Sequence, residues 1–233
     1  MLDIAKVRAI SFDLDDTLWP IWPTIERAEK ALHDWLGCNA PMAAAMFANP
    51  GALRDIRDAV GLSRPDLKSD LSAMRRESIR LALYRAGENP LLADAAFEVF
   101  FDERQRVTLY DDALACLEFL SARFPLVSLS NGNADLQRVG LARYFRAAIS
   151  AREFGVAKPD PRIFVAAAKA VDVAPEQVLH VGDDMTLDAL GALGAGMQAA
   201  WLNREEQLWV HEETPHLTLT GLDQLSALFR DPA

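Results

Sequence analysis

The sequence has few cysteines, no long apolar run and a deficit of positive charge. Of the 233 residues, only Cys38 and Cys116 are cysteines, which excludes a disulfide framework and a zinc cluster built on thiolates. We therefore expect the reducing environment of the cytoplasm. No apolar run approaches the roughly 20 residues of a membrane-spanning helix, and Asp3, Lys6 and Arg8 interrupt the N-terminal segment. We expect neither a membrane anchor nor a signal peptide.

Acidic residues outnumber basic ones. Lys and Arg total 24 against 34 for Asp and Glu, which gives a formal net charge of −10. Such a chain repels nucleic acid and anionic lipid at long range, so we expect neither as a partner. It also repels a small anionic substrate unless a metal ion and a few placed cations reverse the local field. No charged cluster or apolar stripe in the sequence identifies a protein partner.

Short apolar runs alternate with helical patterns over much of the chain. Five runs of β-type residues predict strands at residues 7–12, 126–129, 147–149, 178–181 and 198–202. Helical patterns separate the later runs, as at residues 161–171. This alternation predicts an α/β fold: a Rossmann-like parallel sheet with helices on both faces and a ligand site where the strands end.

The stretch between residues 21 and 105 has helical periodicity and no strand pattern. Helices are predicted at residues 25–36, 67–86 and 91–105, with prolines and glycines between them. We therefore predict a core domain formed by residues 1–20 and 106–233. Residues 21–105 are predicted to form an inserted, all-helical domain.

The segment Asp13-Leu14-Asp15-Asp16-Thr17 follows the first strand directly. Two carboxylates at i and i+2 that leave a strand end reach the same cleft, where the first can attack an electrophile and the second can transfer a proton. Their mutual repulsion predicts a cation between them. The alternative interpretation is a solvated acidic turn that begins a helix at Thr17.

Two later segments carry groups that suit a phosphate. Ser130-Asn131-Gly132 brings a hydroxyl, a side-chain amide and backbone N–H groups to a strand end, or else forms an ordinary polar turn. Lys158 precedes a Pro-Asp-Pro helix start and either points its ammonium into the cleft or is a solvated surface charge.

A fourth segment, Gly182-Asp183-Asp184, ends another apolar run, and Asp188 follows about one helical turn later. Asp183 is placed to bind a hard divalent cation through oxygen, and Asp188 is placed to fix that arrangement. An Asp-rich helix N-terminus stabilised by the helix dipole is the alternative.

In this order, each after a strand, the four segments resemble the haloacid dehalogenase-like hydrolase superfamily. The resemblance covers the whole chain, because members with a helical cap carry it where residues 21–105 lie here. It implies an Mg²⁺-dependent hydrolase that acts on a small-molecule phosphate ester through an aspartyl-phosphate. Asp15 argues against the founding dehalogenase activity, since those members of the superfamily lack a second aspartate in the first motif.

The resemblance also implies roles for individual residues. Asp13 would be the nucleophile, and Asp15 would protonate the leaving alcohol and then activate water. Mg²⁺ would be held by Asp13, by the main-chain carbonyl of Asp15 and by Asp183. Ser130, Asn131 and Lys158 would bind phosphoryl oxygens. Supporting positions would be taken by Thr17, Asp184 and Asp188.

A closer resemblance concerns the substrate. The segments that carry it are Ser130-Asn131-Gly132-Asn133, residues 74–79, residues 180–188 with 196–201, and Pro215-His216-Leu217. They are similar to a bacterial subgroup that includes phosphatases of flavin mononucleotide (FMN) and of 5-amino-6-(5-phosphoribitylamino)uracil. This similarity implies a flat heterocycle joined to a phosphorylated polyol.

Four residues in or near the insert are candidate substrate contacts. Trp19 and Trp22 either stack on a planar ring or pack a hinge, and Arg75 and Arg76 either meet a polar substrate group or lie on a solvated helix face. Three functions remain as alternatives: a phosphoglycolate- or sugar-phosphate-type phosphatase, a phosphomutase, and a catalytically silent binding module.

Overall fold

The computed structural model describes residues 1–230, with only the backbone given at Pro50, Gly51 and Arg54. The chain divides into two compact units. The first is formed by Met1–Pro20, Thr108–Gly132 and Leu136–Ala233, and the second by Ile21–Val107 and Asn133–Asp135. No helix within residues 1–230 combines the length and the apolar character needed to cross a bilayer.

A six-stranded parallel sheet forms the centre of the first unit. Its strands are β1 (Ala9–Phe12), β2 (Leu126–Ser130), β3 (Ala147–Ser150), β4 (Val178–Gly182), β5 (Gln198–Leu202) and β6 (Leu217–Leu219). They lie in the order β3-β2-β1-β4-β5-β6, and all neighbours are parallel. The predicted α/β class with a Rossmann-like sheet is confirmed. The strand β6 was not predicted.

Strands β1, β2, β4 and β5 are buried along their whole length, as expected for a parallel sheet covered on both faces. Val127 and Leu129 pack with Phe164 on one face. Ile10 and Leu126 are equally buried and, by the alternation of side chains along a strand, point to the other face.

Helices flank this sheet. They are α6 (Ala113–Ser121), α7 (Leu136–Val139), α8 (Ala151–Phe154), α9 (Pro161–Lys169), α10 (Gly191–Gly194) and α11 (Leu222–Leu228). A π-helical segment covers Met185–Leu190. Helix α9 begins at Pro161, which suits the first helical position, and the Asp160 side chain accepts a hydrogen bond from the Arg162 N–H.

The second unit is helical, and its described residues contain no strand. Its helices are α1 (Ile21–Asn39), α2 (Pro41–Met46), α3 (Pro50–Ser63), α4 (Leu71–Arg85) and α5 (Ala93–Arg104). They enclose a core of their own that includes Leu32, Ile79, Leu83 and Phe97. The predicted all-helical insert is confirmed as part of the fold class.

Candidate active site

The acidic and basic segments lie at the carboxyl edge of three adjacent strands. Asp13 follows β1, Ser130 ends β2 and Asp183 follows β4, and β1 lies between the other two strands. The Asp13 N–H donates to the Val181 carbonyl at 2.9 Å, which continues the pairing of β1 with β4 beyond the last residue of β1. Strand order therefore brings together residues that are distant in sequence.

Lys158 joins two carboxylates inside this edge. Its ammonium donates to Asp13 Oδ1 and to Asp188 Oδ1, both at 2.5 Å, and all three side chains are buried. The Asn131 side chain fixes the main chain of Lys158: its Oδ1 accepts from the Lys158 N–H at 2.8 Å, and its Nδ2 donates to the Lys158 carbonyl at 3.0 Å. These two bonds hold the main chain of Lys158 in place, and the contact of Asn131 with phosphate stays a prediction.

Burial and charge act against each other in this group. Burial alone would lower the pKa of Lys158, but Asp13 and Asp188 outweigh it and raise that pKa, so the ammonium is charged. Burial would raise the pKa of Asp188, but Lys158 and His180 together outweigh it and lower that pKa. Burial raises the pKa of Asp13 above its ordinary value, with Lys158 opposing the shift.

Three carboxylates form a cluster that fits a divalent cation. Oxygen atoms of Asp13, Asp183 and Asp188 lie within 4.8 Å of one another. Burial, together with the negative charges of Asp188 and Asp16, raises the pKa of Asp183 to about 7. A cation would remove this repulsion, and a donor set made only of carboxylate oxygens suits Mg²⁺.

The Asp183 segment is held from several sides. The Thr17 hydroxyl donates to Asp183 Oδ1 at 3.2 Å, and the Trp201 indole N–H donates to the Asp183 carbonyl at 2.7 Å. Asp184 begins the π-helical segment, since its Oδ1 accepts from the N–H groups of Thr186 and Leu187 at 2.7 Å. These contacts fix the Asp183 carboxylate, the Asp183 carbonyl and the main chain that follows.

Asp15 is held by a tryptophan and lies against a glycine. The Trp19 indole N–H donates to Asp15 Oδ1 at 2.8 Å. A Cβ atom at Gly132 would overlap the Asp15 carboxylate, so only glycine allows this close approach. The Gly132 N–H donates to the Ser130 hydroxyl oxygen at 2.9 Å, which leaves the hydroxyl able to donate its own proton.

The four candidate substrate contacts have different environments. Trp19 is 0% exposed and has no face open for stacking, which favours packing, whereas Trp22 is 60% exposed. Arg75 is buried, pairs with Glu29 at 3.2 Å and stacks on Phe100. Arg76 pairs with Glu98 at 2.8 Å and stacks on Phe97. Both guanidinium groups are thus engaged within the helical unit, which favours a packing role over contact with substrate.

Three residues near the site were not assigned a role from the sequence. They are Ser11, His180 and Trp201. The signal was available for the first two, because each is a polar residue inside a buried, otherwise apolar strand and therefore needs a partner. Burial lowers the pKa of His180, with Asp188 opposing the shift, so the ring is neutral.

Comparisons with known proteins agree with this geometry. A family profile described as haloacid dehalogenase-like hydrolase matches residues 7–196. The chain is 34% identical over 233 residues to the Escherichia coli 5-amino-6-(5-phospho-D-ribitylamino)uracil phosphatase YigB, covering 97% of each. A Thermus thermophilus phosphoserine phosphatase is 39% identical over 157 residues, covering 65% of this chain and 63% of the relative.

A solved structure extends the similarity to the fold. It is that of a 2-haloacid dehalogenase from Pseudomonas syringae, with a TM-score of 0.89 and 38% identity. The match covers 95% of this chain and 97% of the other. The profile spans all the strand-end segments of the site, from Asp13 to Asp188. The chain therefore belongs to the haloacid dehalogenase-like hydrolases.

Proposed function

We propose that the chain is a Mg²⁺-dependent phosphomonoester hydrolase that acts through an aspartyl-phosphate on Asp13. The observation that carries this proposal is the buried Lys158 ammonium, 2.5 Å from Asp13 Oδ1. A phosphoryl dianion that approaches a carboxylate is repelled, and a fixed cation beside the carboxylate reduces that repulsion. An ammonium has three donors, so after Asp13 and Asp188 one remains for a phosphoryl oxygen.

The carboxylate cluster supports the metal in this proposal. Asp13, Asp183 and the main-chain carbonyl of Asp15 would hold Mg²⁺, with Asp188 as the third carboxylate of the cluster. When bound, the ion neutralises charge on the phosphoryl group. Ser130 would donate its hydroxyl proton to a phosphoryl oxygen.

The two carboxylates of the first motif have different roles in the reaction. An oxygen of Asp13 attacks phosphorus, the bond to the ester oxygen breaks, and Asp15 gives its proton to that oxygen, so an alcohol departs. Water then attacks the phosphorus of the aspartyl-phosphate while Asp15 takes a proton from it. The bond to Asp13 breaks, phosphate leaves, and both side chains return to their starting states.

We propose FMN or a ribitylamino-pyrimidine phosphate of riboflavin metabolism as the substrate. The support is the 34% identity with YigB over 97% of both chains, because that relative is a phosphatase of the ribitylamino-pyrimidine phosphate. We further propose that the helical unit is a cap that selects the leaving group. In that unit Trp22, with 60% of its surface exposed, presents an aromatic face.

Hydrolysis of a 2-haloacid is the second candidate, because the similar structure with a TM-score of 0.89 is that of a 2-haloacid dehalogenase. That reaction displaces a halide, which leaves without a proton, and it forms no phosphoryl charge for a cation to neutralise. The Asp15 carboxyl next to Asp13 and the cluster of three carboxylates have no task in it. Both features favour the phosphatase.

The test is release of phosphate from a panel of esters, with Mg²⁺ and with EDTA, beside release of chloride from 2-chloropropionate. The esters are FMN, the ribitylamino-pyrimidine phosphate, nucleoside monophosphates, phosphoglycolate and sugar phosphates. We expect Mg²⁺-dependent phosphate release led by the ring-plus-polyol esters. Release led by sugar or acyclic esters would contradict the substrate alone, and chloride release without phosphate release would contradict the mechanism.

Analysis of the products separates hydrolysis from phosphoryl transfer. A phosphomutase would return the phosphoryl group to a sugar, so a rearranged sugar phosphate would appear in place of inorganic phosphate. A catalytically silent module would bind esters and release nothing.

A further inference from the structure

Two buried polar residues have no task in the mechanism above. Ser11 in β1 and His180 in β4 are direct neighbours in the register of the two strands. Their exposed fractions are 0% and 1%. The His180 ring lies edge-on to Phe164, with ring centroids 5.1 Å apart, so packing as well as hydrogen bonding fixes its plane.

Hydrogen bonds connect this pair to the reacting centre. Ser11 Oγ lies 2.8 Å from His180 Nδ1, and His180 Nε2 lies 3.1 Å from Asp188 Oδ1. The same Asp188 oxygen accepts from the Lys158 ammonium, which also donates to Asp13. An unbroken chain of contacts therefore runs from the buried sheet to the proposed nucleophile.

The chemistry of the partners fixes the direction of each bond. An ionised carboxylate only accepts, so His180 Nε2 carries the hydrogen and donates to Asp188. A neutral imidazole has one donor and one acceptor, so Nδ1 accepts and the Ser11 hydroxyl donates to it. Ser11 thereby selects the tautomer that can hold Asp188.

Asp188 is then fixed at both oxygens. Its Oδ1 accepts from His180 and Lys158, and its Oδ2 accepts from the Asp184 N–H at 3.1 Å. A Cβ atom at Gly182 would overlap the Asp188 side chain, so the carboxylate is confined on that side too. Without the His180 bond, a less constrained Asp188 would leave the flexible Lys158 side chain less well oriented.

We propose that His180, oriented by Ser11, is a positioning residue that aims the Lys158 ammonium at the phosphoryl group through Asp188. This proposal rests on the phosphatase function. The competing interpretation is that Ser11 and His180 only satisfy each other within the core. A core role alone predicts lost stability, with no specific effect on the step that depends on Lys158.

Two substitutions of His180 separate these interpretations. In His180→Gln, the side-chain amide reaches the position of Nε2 and can still donate to Asp188. In His180→Asn, the shorter amide reaches only the position of Nδ1 and loses that bond. Ser11→Ala removes the donor that selects the tautomer and leaves the imidazole in place. Thermal melting and circular dichroism verify that each variant is folded.

The kinetic measurements are kcat and KM for the best ester and the inhibition constant of orthovanadate, a mimic of the transferring phosphoryl group. A lost hydrogen bond to a charged group predicts a fall of about 10- to 100-fold in kcat for His180→Asn, with weaker inhibition by vanadate. We expect His180→Gln to recover most of both losses. Equal losses in the Gln and Asn variants, or no loss in either, would overturn the proposal.

A measurement without turnover tests the tautomer directly. In protein labelled with ¹⁵N at its four histidines, the His180 resonances are those absent from His180→Gln. We expect one-bond coupling to hydrogen at Nε2 and none at Nδ1. If the hydrogen is on Nδ1 and the protein releases phosphate, the positioning proposal is wrong and the phosphatase function stands. If His180 has the expected tautomer but the protein releases no phosphate from any ester, the proposed function is wrong, and the positioning proposal that rests on it is wrong as well.

Discussion

Trp19 donates its indole N–H to Asp15 Oδ1 at 2.8 Å, and the turn between the two residues is closed by a hydrogen bond from the Asp16 N–H to the Trp19 carbonyl at 2.8 Å. Asp16 has a φ of 59°, a left-handed conformation that aspartate tolerates better than most residues. Because Trp19 is fully buried, it holds the proposed acid from a fixed position.

We therefore expect Trp19→Phe to lower kcat by about 10-fold, since a smaller aromatic ring remains and the hydrogen bond to the carboxyl is lost. Steady-state kinetics on an acyclic ester measure this change, because that ester lacks the heterocycle that Trp22 is proposed to contact. Trp22→Phe is the matched control, because the same substitution is made there on an exposed ring. An equal fall in kcat for both variants would show that the Asp15 contact is not the cause.

Asp13→Asn tests the proposed nucleophile. The two side chains have nearly equal volume, but an amide is a poor nucleophile, so turnover should fall by about 10⁴-fold or more. Phosphate release measures the loss, and circular dichroism verifies the fold. Retained activity would refute the aspartyl-phosphate mechanism.

Lys158→Met tests how the buried charges are balanced. The substitution keeps most of the side-chain volume but leaves Asp13 and Asp188 buried without their cation, which should lower the free energy of unfolding by about 3–5 kcal/mol near neutral pH. Loss of the cation raises the pKa of both carboxyls, so acid should reduce the loss by protonating them.

Urea denaturation without added metal, at about pH 5 and about pH 8, measures this difference. Lys169→Met is the control for Lys158→Met, because Lys169 is exposed at the end of α9 and should change stability by only about 0.5 kcal/mol. A loss that does not grow with pH would contradict the assigned charges.

Binding of Mg²⁺ should stabilise the folded protein to an extent that depends on pH. The pKa of Asp183 is raised to about 7 in the metal-free protein, so the favourable contribution of its protonated form is lost as the pH rises through that value. Mg²⁺ needs the ionised carboxylate, and its stabilising effect should therefore be small near pH 5.5 and larger near pH 8.

Melting curves with Mg²⁺ and with EDTA at both pH values measure this effect. Asp183→Asn should remove most of the stabilisation by Mg²⁺ and its pH dependence. A stabilisation equal at the two pH values would contradict the assignment of Asp183 as a ligand.

Trp22→Ala tests the proposed substrate. If the exposed ring of Trp22 stacks on a flat heterocycle, its removal should lower kcat/KM for FMN by about 10-fold and leave an acyclic ester nearly unchanged. Competition between the two esters in one reaction measures the ratio directly. An equal fall in kcat/KM for both esters would indicate that Trp22 has a packing role and does not contact the substrate.

Elements with long apolar runs or strong periodicity could be predicted from the sequence, and short ones could not. The strand β6 has only three residues with a polar Thr218 at its centre, so no apolar run marks it. Helices α2 and α3 begin at prolines, and Gly61 lies inside α3. Prolines and glycines in a sequence predict breaks between helices, although proline is favoured in the first turn of a helix.

Within the site, the sequence predicts the position of some residues but not the contacts between them. Asp13, Lys158 and Asp183 could be placed near a sheet edge from the sequence, because strand ends and polar residues are both visible there. The contacts of Asn131 with Lys158 and of Ser11 with His180 depend on strand order and register. Sequence spacing alone carries neither, so the residues that position the reacting groups emerge only from the structure.

The central position of β1 has a consequence for synthesis of the protein. β1 lies between β2 and β4, and both of these leave the ribosome only after the five helices of the helical unit, within residues 21–107, have been translated. The helical unit has its own core and can fold during synthesis. The apolar strand β1 cannot pair until β2 and β4 have been synthesised. We therefore expect the helical unit to fold before β1 joins the sheet. During that interval, we expect a chaperone that binds short apolar segments to bind residues 9–12.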